Sequence, residues 1–143
     1  MTIPASLVII DTNIFFSALL SERSRFSEII QRGNETFFIC EYVVVELFKH
    51  KEKIASRSKL PADDLLIVYH LLLRRVTIFK EDLLSLENRR AAQNLCQGVD
   101  ANDIPHVALT LELGGLLWTG DQKLKTGLQA KGFNQFFIPS IHP

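Results

Sequence analysis

Cysteine is scarce in this chain, with Cys40 and Cys96 the only two among 143 residues. Their placement has neither the spacing of a metal-ligand set nor that of a redox pair, which excludes a zinc-finger framework and leaves two thiols of the kind buried in a reducing cytoplasm. Net charge is lacking too. Sixteen basic and 16 acidic residues cancel, so no whole-molecule field draws the protein onto nucleic acid or a membrane, and any such contact has to be local. No apolar run approaches the length of a membrane span. The segment from Met1 to Ser6 carries no basic region, and Asp11 interrupts the apolar run that follows, so no signal peptide is expected. Glycine is missing from the first strand-to-helix turn, IIDTNIFF, which excludes both a dinucleotide fingerprint and a phosphate-cradling P-loop. Repeats, linkers and low-complexity stretches are absent as well. The length and a hydrophobic content of 47% fit one domain spanning residues 1–143 with a core of its own.

What the chain has is acids at the ends of predicted elements. In VDANDIPHVALTLELGGLLWTGDQKL, Asp100 and Asp103 precede a run in which Ile104, Val107, Ala108 and Leu111 follow helical spacing. Asp103 sits where an N-cap belongs, Pro105 falls in the first turn and Gly114-Gly115 ends the helix. Leu116 to Thr119 then reads as a short apolar strand, and Gly120-Asp121 turns the chain out of its carboxyl end. Cap or turn chemistry alone accounts for either acid. The case for more rests on acids elsewhere in similar places.

Leu7 to Ile10 is such a place: a fully apolar strand, of the kind buried in a parallel sheet, runs straight into Asp11-Thr12-Asn13 and a helix from Ile14 to Leu20. Arg23 and Arg25 follow in a polar connection, and Phe26 to Gln31 reads as a helix stopped by Gly33. Phe37 to Cys40 is the second strand. The helix after it carries Glu46 among Val43, Val44, Val45 and Leu47, a setting that predicts partial burial of a carboxylate; the plainer alternative is a surface pair with Lys49 or His50. From Lys49 to Lys59 the sequence KHKEKIASRSK is the most basic in the protein. Lys49, Lys51, Lys53 and Arg57 are candidate contacts to the backbone phosphates of a polyanion, against the alternative of a solvated helix end that complements its dipole. No aromatic interleaves the patch, so the segment itself offers nothing for base stacking.

Pro61 opens a helix running to about Arg75 that is apolar nearly all round, and a homodimer is one way to cover its second face. Val76 to Phe79 gives a third strand, Ser85 to Cys96 a polar helix, Lys123 to Lys131 a short helix, and Phe136 to Ile138 a last short strand. The order of elements predicts an α/β fold with a mainly parallel central sheet of about five strands. In such sheets ligands bind beyond the carboxyl ends of the strands at a topological switch point, where Asp11 and Asp121 follow their strands.

Asp11, Glu46, Asp103 and Asp121, with Asp100 nearby, are therefore candidates to meet at one end of the sheet. Carboxylates at close range take up protons or bind a cation. Oxygen ligands without Cys or His suit Mg2+ or Mn2+, and His106, one turn after Asp103, reads as a packing or hydrogen-bonding residue. A carboxylate-held metal can activate water and stabilise the leaving oxygen in phosphodiester hydrolysis.

These stretches resemble the PIN domains, metal-dependent nucleases named for the PilT N-terminus, over nearly the whole chain. IIDTNIFFSAL is similar to the family's opening strand and first acid, which gives Asp11 that role with Asn13 as a supporting neighbour. VVVELFKH gives Glu46 as the second acid; DANDIPHVALTLELGGLLWTGDQKL gives Asp103 as the third and Asp121 as the fourth, with Thr119 as a supporting hydroxyl and Asp100 as an extra metal residue. The resemblance implies a flavodoxin-like three-layer fold, Mg2+ or Mn2+ dependence, RNA as substrate, and in-line attack of water that leaves a 5'-phosphate and a 3'-hydroxyl. Small single-domain members of VapC type are toxins held in check by an antitoxin protein, which the resemblance adds as a partner. The alternative reading is a catalytically weak PIN-like module that binds nucleic acid or protein. A receiver-like phosphoacceptor pocket ranks lower, since the third strand ends in Phe79-Lys80 without a nucleophilic aspartate.

Overall fold

The computed structural model describes residues 6–20 and 24–139. The expectations for Met1 to Ala5 and Arg23 fall outside that range. Four strands, β1 (Leu7–Ile10), β2 (Thr36–Cys40), β3 (Val76–Phe79) and β4 (Leu116–Trp118), form one sheet in the order β3-β2-β1-β4. Every pairing is parallel, with Val8 opposite both Phe37 and Leu116. β1 is an interior strand whose Val8, Ile9 and Ile10 are wholly buried, as its unbroken apolar sequence demands.

Alternation along the strands divides the core into two layers. Val8, Ile10, Phe37 and Ile39 face one layer, formed chiefly by helices α1 (Thr12–Leu19), α2 (Arg25–Arg32) and α5 (Ala62–Arg75). Ile9, Cys40 and Leu117 face the other, formed by α6 (Leu86–Cys96), α7 (Ile104–Leu113) and α8 (Gln122–Ala130). Helix α3 (Glu41–Lys49) leaves the end of β2 and straddles both, placing Val43 and Leu47 in the first cluster and Tyr42 against the second. The result is the three-layer α/β arrangement expected from the order of elements. Replacing Ile9, buried with no exposure, by alanine is expected to cost about 2–5 kcal/mol.

The fifth strand shrinks to an isolated bridge, Phe136 opposite Leu117. Phe137 donates its backbone N–H to Leu117 O at 2.8 Å, and then its ring turns into the core beside Trp118, at 5.2 Å between centroids, while Ile138 is 80% exposed. Pairing stops where the side chain is needed for packing. Helix α7 ends as its sequence predicts, on Gly114 in the left-handed region at φ 61°. Both cysteines are buried, and burial pushes each thiol up, Cys96 to about 11, which keeps them unreactive.

The basic segment spans two helices. Lys49 closes α3, His50 breaks the helix at φ −109° and ψ 19°, and α4 (Lys51–Arg57) starts anew. Helix α5 buries Val68 and Leu72 but leaves Leu66 and Ile67 exposed. None of the described helices is long and apolar enough to cross a membrane.

Candidate metal centre

The sheet order defines where the site lies. From β1 the chain moves outward to β2 and β3 and returns to the other side of β1 for β4, so the switch point is the crevice beyond Ile10 and Trp118. Asp11 follows the first of these and Thr119 to Asp121 the second. Both aspartates cap helices, Asp11 as its sequence position predicts and Asp121 where the sequence suggested a turn. Asp11 Oδ1 accepts the Ile14 N–H at 2.8 Å and Asp121 Oδ1 accepts the Leu124 N–H at 3.1 Å, which leaves each carboxylate a second oxygen for the crevice. Capping and ligation are compatible in one side chain.

Thr119 joins the two. Its buried hydroxyl accepts the Asp121 N–H at 3.1 Å and favours the charged form of the neighbouring Asp11 carboxylate. Burial raises the Asp11 carboxyl above its ordinary range, and Asp121 raises it further. The Thr119 hydroxyl, the Ile14 hydrogen bond and the Lys125 ammonium act the other way.

Asp103 departs from the expected cap. It occupies the residue before α7 yet makes no side-chain capping bond. Asp100 takes over, its Oδ1 accepting the Asn102 N–H at 2.9 Å to start a single 3-10 turn from Ala101 to Asp103. The turn spends the Asp100 oxygen on the backbone and frees the Asp103 carboxylate. Asp100, Asp103 and Asp121 each offer an oxygen, all within 4.8 Å of one another. Burial, and then the neighbouring Asp11, Asp100 and Asp121, push the Asp103 carboxyl up to about 7. So high a value marks a group short of positive charge.

A cleft of about 170 Å³ gathers the predicted acids: Asp11, Glu46, Asp100, Asp103 and Asp121 all line it, as does Asn13. Thr119 supports from behind. Asp11 and Glu46 share the cleft without entering the three-carboxylate cluster. Glu46 is only partly exposed and meets Lys49 at 3.7 Å and His50 at 3.3 Å, so the buried setting and the surface pair are both realised. Of the basic candidates, Lys53 and Arg57 line a neighbouring cleft. Lys51 lies 4.7 Å over the Phe48 ring, on an apolar groove between α3, α4 and α5, while Lys49 stays with Glu46.

Sequence reasoning passed over Tyr42 and Asn102, which also line the cleft. Glu46 lies one turn on from Tyr42 along α3, and burial followed by that carboxylate raises the Tyr42 phenol. The i, i+4 spacing of Tyr42 and Glu46 was the available signal. His106 is fully buried, its Nε2 3.3 Å from Thr12 Oγ1, and burial lowers it to about 4. It is neutral at physiological pH, and packs against Tyr42 with ring centroids 6.3 Å apart.

The donor set tests what such a site can hold. The charged groups that line the cleft are carboxylates, hard oxygen donors that fit Mg2+ or Mn2+ better than zinc or copper. The raised Asp103 fits too, since a cation supplies the missing positive charge. No curated protein sequence matches the chain. A family model described as PIN domain matches residues 9–137, an interval that includes every acid of the cleft. On this match, which covers most of its length, the chain belongs to the PIN domain family, whose members are generally nucleases.

Proposed function

We propose that this protein is a metal-dependent endoribonuclease, acting as one domain over residues 1–143. The observation that carries the proposal is the Asp103 carboxyl, left free by the Asp100 turn, held within 4.8 Å of Asp100 and Asp121 and short of positive charge. Mg2+ or Mn2+ held by Asp103 and Asp121, with Asp11 and Asp100 alongside, would supply water activation and neutralisation of charge at the phosphate. The chain's own groups supply position. Thr119 holds the Asp121 backbone and favours the Asp11 carboxylate, and Tyr42 neighbours Glu46, whose carboxylate orients the attacking water. Asp103 would hold the cation as its carboxylate, its proton passing to solvent. In-line attack on phosphorus leaves a 5'-phosphate and a 3'-hydroxyl.

The PIN domain match and the acidic cleft support a VapC-like toxin, neutralised in the cytoplasm by an antitoxin, as its biological setting. Self-association through α5 is part of the same reading. Leu66 is 65% and Ile67 57% exposed, with Phe48 at 72% across the neighbouring groove, a surface that a second copy would remove from water.

The test is incubation of purified protein with end-labelled single-stranded RNA and Mn2+ or Mg2+, beside an EDTA control and an Asp103→Asn variant. Cleavage by the wild type that is lost in both controls is the expected result. Equal cleavage by wild type and variant, or none on any RNA, would leave a PIN-like binding module instead.

A further inference from the structure

Next to the acidic cleft lies a second one of about 400 Å³, walled by α1 on one side and by α3 and α4 on the other. Thr12, Asn13 and Glu46 line both, so the two are continuous. Their chemistry differs. The second cleft replaces carboxylates with His50, Lys53 and Arg57 and has Phe16 and Leu20 as apolar wall. Phe16, half-buried on α1, meets the His50 ring edge-on at 6.2 Å between centroids, and the His50 side chain is 46% exposed. Aromatic surface is thus present beside the basic segment, delivered by a helix more than thirty residues earlier in the chain. Among the described residues no carboxylate pairs with Lys53 or Arg57.

Cations beside an aromatic cleft wall complement a polynucleotide strand, whose phosphates need positive charge and whose bases need a stacking surface. The acidic cleft cannot provide this, because its carboxylates repel phosphate until a cation is present. A duplex cannot use a half-buried ring at the wall of a narrow cleft, since its bases are already stacked within the helix. We infer that the second cleft seats the single-stranded RNA flanking the cut phosphodiester, with a base against Phe16 and His50 and the adjoining phosphates on Lys53 and Arg57. The inference rests on the ribonuclease reading above and adds to it the seat of the strand that flanks the cut. It also divides the basic segment: Lys53 and Arg57 hold substrate, while Lys49 and Lys51 do not.

The experiment measures anisotropy of a short fluorescein-labelled single-stranded RNA in EDTA, so that binding is read without cleavage. Lys53→Ala with Arg57→Ala should weaken binding at least tenfold and flatten the dependence of log affinity on log salt by about 1.4, for two phosphate contacts on a single strand. Arg74→Ala with Arg90→Ala removes the same charge from exposed positions elsewhere and should change neither value appreciably; nor should Lys49→Ala with Lys51→Ala. Phe16→Leu keeps apolar bulk but removes the ring, and should weaken RNA binding about 5- to 100-fold while leaving binding of an abasic oligomer unchanged. Circular dichroism of each variant confirms its fold. The inference is overturned if the Lys53 and Arg57 pair loses no more affinity than the Arg74 and Arg90 pair, or if Phe16→Leu affects RNA and abasic oligomer alike. Intact cleft binding by a protein that never cleaves RNA with metal would defeat the ribonuclease reading alone.

Discussion

Thr12 and His106, on helices α1 and α7 of opposite layers, meet at the acidic cleft with Oγ1 3.3 Å from Nε2, while His106 Nδ1 is buried without a partner among the described residues. The contact ties the two helices that carry Asp11 and Asp103 at their starts. An imidazole so placed stays neutral because protonation would bury an uncompensated charge.

That neutrality has a pH consequence. His106 has a folded-state value of about 4 against an ordinary 6.5, so the unfolded chain binds the extra proton first as pH falls. The stability His106 contributes is present above about 6.5 and lost on descending through about 4. Between pH 7.5 and 5 the loss is about 2 kcal/mol. Urea midpoints across this range should fall less steeply for His106→Asn than for wild type, other titrations cancelling in the difference. Parallel slopes would contradict the burial argument.

Asp103 works in the opposite direction. Its folded-state carboxyl, near 7 against an ordinary 3.8, favours the metal-free folded state at low pH, and this stability is lost as pH rises through about 7. Asp103→Asn should therefore be more stable than wild type without metal at pH 8, by about 1–2 kcal/mol once solvent screening is allowed for. Thermal melting in EDTA reads the difference. A variant less stable than wild type would mean that Asp103 is not repelled by its neighbours.

Thr119→Val removes the acceptor of the Asp121 N–H and the hydroxyl that favours the Asp11 carboxylate, at a position 2% exposed. The expected cost is about 1–3 kcal/mol in stability and about 10- to 100-fold in metal-dependent cleavage. Thr119→Ser keeps the hydroxyl and should recover most of the activity, whereas a role in packing alone would make Val the milder change.

Much of this site was legible in the residues. Asp11 and Asp121 each combine a strand end with a helix start, two local patterns that agree on one location. Glu46 betrayed itself by the valines around it. Asp103 was found for a reason only half correct, because the same local pattern permits a cap and the Asp100 turn that pre-empts it decides otherwise. Phe16 was not legible at all: its place beside Lys53 and Arg57 depends on how α1 lies against α4, a relation without local spacing. The fifth strand misled because Phe137 alternates correctly for a strand but its ring has a better position against Trp118.

Gly127 supports the site from a distance. A Cβ there would stand 2.7 Å from Val99 Cγ2, so Gly127→Ala forces Val99, and with it the adjacent Asp100, away from α8. Weaker Mn2+ binding is expected from Gly127→Ala, with recovery when Val99→Ala is added to relieve the clash. Unchanged affinity in the single variant would show that the Asp100 loop is not set by this contact.

The most direct test is calorimetric titration of the metal-free protein with Mn2+ at pH 6 and pH 8, wild type against Asp103→Asn. A carboxylate cluster that binds a cation and sheds the Asp103 proton predicts saturable binding by the wild type, tighter at pH 8, with proton release at pH 6 visible as a dependence of the heat on buffer. Binding should be lost or greatly weakened in the variant. Equal binding by the two proteins, or none by either, would contradict the metal centre on which the account rests.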